Sequence, residues 1–339
     1  MNSIAILYSM KKSNAPRIGE GINAELHINY WKIPKESGNY QRFIDFGIMI
    51  NDVAQDIHSV YFYFPFSFDT DCLEDLGGKL KESELLCTLF NGDYIIRNIP
   101  KSPSYYDVTP QNTDRSPFWL YELGKSNFEV EQLSSNKGVL LKIQIKSIPK
   151  NSIGIQPKTN ESGKSKHNLY FRFRINRLPQ GALFYEEEIS NDFFQSAFSK
   201  TEMLDFRLNE IRELDKKVYE EIIDSRNFLQ FSKIHFFFIG SSEDEKVVGN
   251  TDYCDCRLLD SERWKPYLQD INLHDRKCIA YHWTYRSNCN MHLIKCNIFL
   301  RTVYKSINKG KICKYCGVII LLSFLASALW TILWECIIN

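Results

Sequence analysis

Apolar and polar positions alternate with a period of two in several short stretches, the spacing of strands with one buried face. In 25–31 (ELHINYW), Leu26, Ile28 and Tyr30 fall on one side and His27 and Asn29 on the other. Segments 42–50 (RFIDFGIMI) and 58–66 (HSVYFYFPF) are further apolar runs of strand length. The clearest alternation is in 139–148, with Leu141, Ile143 and Ile145 inward, and in 169–177, with Leu169, Phe171, Phe173 and Ile175 inward. Turn-forming residues separate these runs: 34–39 (PKESGN), Asn51-Asp52 and the polar connection 149–167. Segment 99–117 (IPKSPSYYDVTPQNTDRSP) reads as one long loop, a place for function or for a flap. Strands in this arrangement predict an antiparallel β-sandwich with a wet outer face.

Helical spacing is expected in one soluble segment. Ser199 and Glu202 have capping-box spacing, and Leu204, Leu208, Ile211, Leu214, Val218 and Ile222 then recur at three and four residues, predicting a helix over 200–227. After it, 233–239 (KIHFFFI) reads as a buried strand, with His235 a satisfied core residue. A short helix within 261–272 and a strand at 278–285 complete the soluble part. The fold class expected is mainly β with some α. It comprises a sandwich-like domain at 1–190, a mixed α/β segment at 191–300, a basic juxtamembrane segment at 301–316 and a transmembrane helix at 317–338.

The last of these carries the strongest signal. Gly317 to Trp334 reads GVIILLSFLASALWTILW without a charge. At ~1.5 Å per residue such a helix spans roughly 27 Å, close to a bilayer core. Arg301, Lys305, Lys309, Lys311 and Lys314 crowd the near flank, which predicts a cytoplasmic bulk (inner membrane in a bacterium). The apolar patch near the N-terminus, Ile4 to Tyr8, is too short for the core of a signal peptide. In topology the chain resembles single-pass, C-tail-anchored membrane proteins, a resemblance confined to about the last 40 residues. Within the span, Ser323, Ser327 and Thr331 recur every fourth residue with Glu335 one step further, a stripe on which helices can associate.

Composition adds constraints. The 42 Lys and Arg against 41 Asp and Glu leave a formal charge of +1, so no whole-molecule field favours nucleic acid, and no nucleic-acid partner is expected. Ten cysteines in a chain with no export signal predict reduced thiols. Cys254, Cys256, Cys289 and His292 are weak zinc candidates because their spacing lacks paired knuckles, so no metal or other cofactor is expected. Cys313 and Cys316 lie beside the span, where palmitoylation occurs. Ser162 to Ser165 resembles the end of a phosphate-binding loop, but Lys158 stands where that motif needs glycine.

One electrostatic feature suggests a site. With 139–148 and 169–177 in one sheet, Lys142, Lys146, Arg172 and Arg174 would share its outer face, a candidate surface for a small anionic ligand, with Glu186 to Glu188 as internal counter-charges. The function expected is a membrane-anchored protein whose β-rich cytoplasmic domain recognises a ligand, a protein partner or further copies of itself. By analogy it could be an oligomerising, membrane-disrupting effector of a prokaryotic defence or stress system. The alternatives are a membrane-tethered enzyme and a simple scaffold.

Overall fold

The computed structural model describes the chain except residues 1–2, 11–21, 36–39, 52–56, 113–114, 134–137, 147–167, 189–197, 215, 224–225, 245–247, 270, 272–276, 288–294, 306–308 and 339. The first strands are β1 (Ala5–Met10), β2 (Asn23–Pro34), β3 (Tyr40–Ile50), β4 (Ile57–Phe64) and β5 (Leu73–Asp75). Helix α1 (Ser83–Phe90) precedes β6 (Tyr94–Asn98), β7 (Tyr105–Pro110), β8 (Phe118–Tyr121), β9 (Phe128–Gln132) and β10 (Val139–Gln144). Next come β11 (Asn168–Ile175), β12 (Phe184–Glu188), β13 (Ser199–Leu208), α2 (Lys216–Ile223), β14 (Asn227–Phe228) and β15 (Gln230–Ser241). The chain closes with β16 (Val248–Gly249), β17 (Asp255–Leu258), α3 (Ser261–Trp264), β18 (Cys278–Arg286), β19 (Cys296–Lys305) and α4 (Lys309–Ile338).

These strands form three sheets. The largest has the order β17-β18-β15-β2-β3-β11-β8-β7-β6, with β5 also on β11; a five-stranded sheet runs β14-β1-β4-β10-β9, and a four-stranded one β12-β13-β19-β16. Leu26, Ile28 and Tyr30 of β2, the isoleucines of β3 and the inner residues of β11 meet Phe62, Leu141 and Ile143 of the five-stranded sheet. The same core takes in Phe206 and Leu208 of β13. Phe62 and Phe173 pack edge to face at 4.9 Å, and each buried ring contributes roughly 1.5–3 kcal/mol. The far side of the five-stranded sheet is covered by Val218 and Ile222 of α2. The expected sandwich is therefore present. Strands from either side of the expected boundary at 190/191 pair in the large sheet, β15 running parallel to β2.

Several expectations are corrected. The predicted helix over 200–227 is β13, a turn and the eight-residue α2. Leu204 and Leu208 fit a period of two as well as four, but Phe206 fits only two, and β13 pairs with β19 along its whole length. The predicted long loop at 99–117 contains β7, whose Tyr105 and Val108 are buried. Among the described residues of 261–272, helix is limited to α3 and the single turn Pro266–Leu268. Arg301 and Lys305, expected in a juxtamembrane segment, lie on β19. The Ser162 to Ser165 loop falls outside the described residues.

Helix α4 stands apart. Within its stretch Lys309–Trp334, the most apolar 18-residue window has a mean hydropathy of 2.3, and none of that window is buried. Among the described residues, one helix is thus long and apolar enough to span a membrane.

Candidate functional site

The second face of the large sheet is only partly covered. On β2 this face carries Glu25, His27, Asn29 and Trp31, the partners in parity of the buried Leu26, Ile28 and Tyr30. At one end it is roofed by α1 and by Trp264, Tyr267 and Leu268, which pack on Trp31, Phe43 and Tyr170. At the other end it opens into a cleft of about 840 Å³.

Strand register builds the cleft. Glu25 sits opposite Lys233 and His27 opposite His235 in the parallel pair, while His235 sits opposite Thr284, and His282 opposite Phe237 on one side and Asp255 on the other. The His235 Nδ1 and His282 Nε2 atoms are 2.8 Å apart, so one donates to the other, and Thr284 Oγ1 lies 3.0 Å from the same His282 nitrogen. The rings of His27 and His235 are 5.1 Å apart, and the His282 ring stacks on Phe237 at 4.1 Å. Burial drives the imidazoles toward neutrality: His235 is pushed down to about 3 and His282 to about 4. His27 is held well below the usual range, first by burial and then by the repulsion a second positive charge would meet from His235, Arg172 and Lys233. At neutral pH all three rings are uncharged and offer lone pairs.

The rim is held by Arg115, which donates to Asn91 O and Tyr94 Oη at 2.8 Å each and also to Phe90 O. Asn91 ends α1 in the left-handed region at φ 50°. Gly47 lies opposite both His27 and Arg172. A side chain there would overlap Tyr170 Oη and come within 2.9 Å of Arg172 Nη1, so only glycine lets both cross β3 toward the cleft.

The expected basic face does not exist as one surface. Strands β10 and β11 belong to different sheets whose apolar faces meet, so their outer faces point in opposite directions. Lys142 pairs with Glu129 at 2.7 Å and Lys146 donates to Ser126 Oγ at 3.0 Å, both on the five-stranded sheet's side. Arg172 and Arg174 are fully buried under the roof. Arg174 Nε donates to Asp45 at 2.6 Å, Arg172 Nε to Tyr267 Oη at 2.6 Å, and Tyr267 Oη and Trp31 Nε1 donate to Asp45 at 2.7 Å each. Of the four predicted residues, only Arg172 lines the cleft. Glu186 is engaged elsewhere, with Arg42.

Cys254 and Cys256 are exposed thiols on and beside β17, while Cys289 and His292 lie outside the described residues. Cys313 and Cys316 are exposed on the first turns of α4. Ser323 Oγ donates to Ile319 O and Thr331 Oγ1 to Ser327 O, at 2.8 and 3.0 Å, so both hydroxyl protons are used inside the helix that also carries Glu335. The cleft histidines were missed as a group because they come from three strands. The shared parity of Lys233 and His235 against Ile234 and Phe236 was the available signal.

No family model matches the chain, and neither does any curated protein. Among solved structures it is similar to the yeast delta-COP-I mu-homology domain complexed with a Dsl1 WxWxV peptide, at 8% identity over 88% of this chain and 79% of that one. The TM-score of 0.18 is too low for that likeness to carry an argument about fold or function.

Proposed function

We propose that the chain is a membrane-anchored binding protein: α4 crosses the bilayer once, the body lies on the cytoplasmic side, and the histidine cleft receives a small anionic ligand. The observation that carries this reading is an apolar helix with no buried face attached to a body with an open polar cleft. An exposed apolar surface of that size needs a membrane or a partner. Within the cleft, Arg115, Arg172, Lys233 and Arg257 outnumber Glu25 and Asp255, which favours an anion. Arg172 Nη2 is buried with no hydrogen bond, its nearest acid being Asp45 Oδ2 at 3.8 Å.

Membrane fractionation tests the anchor: the full chain should sediment with membranes through an alkaline wash, and the chain lacking 309–339 should not. Release of the full chain by the wash overturns the anchor. The cleft is tested by thermal melting with inorganic phosphate in the presence of a chelator. A rise that Lys233→Glu and Arg257→Glu abolish supports the reading, and no rise up to millimolar phosphate sinks it. The effector form of this reading adds that gathered spans harm the membrane; full-length chain should then slow growth and the chain lacking 309–339 should not. A tethered enzyme is favoured by one observation, the Thr284 hydroxyl beside His282. Thr284 does not line the cleft, which makes it the weaker reading.

A further inference from the structure

We propose that Glu25, His27 and His235 bind a divalent first-row metal ion of the zinc or iron(II) type, with His282 holding the His235 ring in place. The inference rests on the cleft being a ligand site and names part of what it holds. The carboxylate and the two imidazoles each present one donor atom, and the three atoms lie within 4.8 Å of one another. Tetrahedral N/O coordination places neighbouring donors about 3.3 Å apart, so each donor needs to close inward by under about 1 Å. Residues on two adjacent strands supply all three, Glu25 and His27 at alternate positions of β2 and His235 directly across from His27. The fixed register makes the geometry a property of the sheet rather than of a loop.

Three further observations point the same way. Glu25 has no ion pair or hydrogen bond among the described residues, although Lys233 is its register partner. His235 uses Nδ1 toward His282, which leaves Nε2 as its metal-facing nitrogen and supplies the outer hydrogen bond that metal-binding histidines commonly have. The His27 and His235 ring centroids lie 5.1 Å apart on neighbouring strands, close enough for both imidazoles to reach one ion. Two imidazoles and a carboxylate suit zinc and iron(II) and disfavour magnesium and calcium, which prefer oxygen alone. Three protein donors leave coordination positions open to the cleft. Arg172 and Lys233 stand nearby and weaken a bare cation, but they strengthen one carrying an anionic ligand, so metal and anion are expected to bind cooperatively.

The test uses the full chain in detergent, stripped with chelator and dialysed against Co²⁺, Zn²⁺, Fe²⁺ without oxygen, or Mg²⁺. One equivalent of Co²⁺ with visible bands of a low-coordinate N/O site is expected, with Zn²⁺ or Fe²⁺ displacing it and Mg²⁺ not. Loss of the bands in His27→Ala and in His235→Ala, with melting temperatures of the stripped proteins unchanged, supports the site. His282→Ala should weaken binding by about 10–100-fold. Glu25→Gln changes only a partly exposed group and should lower affinity at least tenfold; unchanged affinity in this variant overturns the proposal even if the histidine variants fail to fold. Retention of metal in His27→Ala/His235→Ala, or its loss in Cys254→Ser/Cys256→Ser alone, also overturns it. Absence of metal together with an intact response to phosphate removes the metal and leaves the anion-binding cleft standing.

Discussion

Asp45→Asn offers a sharp test of how the roof over the large sheet is held. The carboxylate is fully buried and accepts from Trp31, Tyr267 and Arg174, with Arg174 Nη2 adding a contact at 3.3 Å and Arg172 Nη2 lying 3.8 Å away. Asparagine keeps the volume but removes the charge and turns an amide donor toward groups that already donate. Of the two buried guanidinium groups, Arg174 then keeps only Glu74 as an acid, 3.8 Å away and partly exposed, and Arg172 has no other acid at ion-pair distance among the described residues. Breaking one partner of a buried ion pair costs about 3–5 kcal/mol, because the other charge stays in a poorly solvating place. Set against a typical total of about 5–15 kcal/mol, that is a large fraction. The assay is urea unfolding of the full chain in detergent, followed by tryptophan fluorescence, since Trp31 is itself a partner. Adding Arg174→Gln should recover roughly 1–3 kcal/mol relative to the sum of the single changes. A loss below about 1 kcal/mol for Asp45→Asn would place the pair among ordinary surface contacts and refute the reasoning.

Stability should fall with acid through the cleft histidines. Their folded values lie below the unfolded value near 6.5, so the unfolded chain binds more protons as pH drops; the loss begins below about 6.5 and continues toward the folded values of about 4 for His282 and about 3 for His235. Melting in chelator from pH 7 to 4 should show this fall, and His235→Asn/His282→Asn should flatten it; an equally steep fall in the double variant would assign the effect elsewhere. Gly47→Ala should cost about 1–3 kcal/mol by displacing Tyr170 and Arg172, read as a lowered melting temperature. In the span, Leu325→Arg should cost about 2.5–3.5 kcal/mol of insertion and shift the chain out of the membrane fraction, whereas unchanged fractionation would end the anchor reading. Ser323→Ala/Thr331→Val should leave crosslinking between copies unchanged, since both hydroxyls already bond within their own helix; loss of crosslinked species would show that the hydroxyls reach across.

What could be read along the chain was parity, and parity held wherever a single period fitted. The split in β2 between Leu26, Ile28 and Tyr30 on one face and His27 and Asn29 on the other is the split seen in space. Parity failed at β13 because Leu204 and Leu208 satisfy two periods at once. For Arg172 and Arg174 it correctly placed the arginines opposite Phe171 and Phe173. Nothing local showed that Tyr267, nearly a hundred residues later, would cover them. Assigning β10 and β11 to one sheet was the same kind of error, since inward faces alone do not say whether two strands are neighbours or lie across the core. The cleft was invisible for a related reason: His27 and His235 become adjacent only through a parallel pairing of distant strands, and that contact leaves no mark on the spacing near either residue.

That parallel pairing also sets the order in which the molecule can come into being. Strands Asn23–Pro34 and Gln230–Ser241 are roughly 200 residues apart, and at about 5–20 residues per second the second emerges some 10–40 s after the first. Meanwhile β2 has β3 on one edge and an open ladder on the other, the form of edge that invites foreign strands. Contacts this distant in sequence also slow the search for the native state. Glu25 and His27 wait through that interval without His235 or His282, and a nascent or truncated chain ending before β15 has half a site. Whatever enters the cleft therefore meets only chains whose sheet has closed.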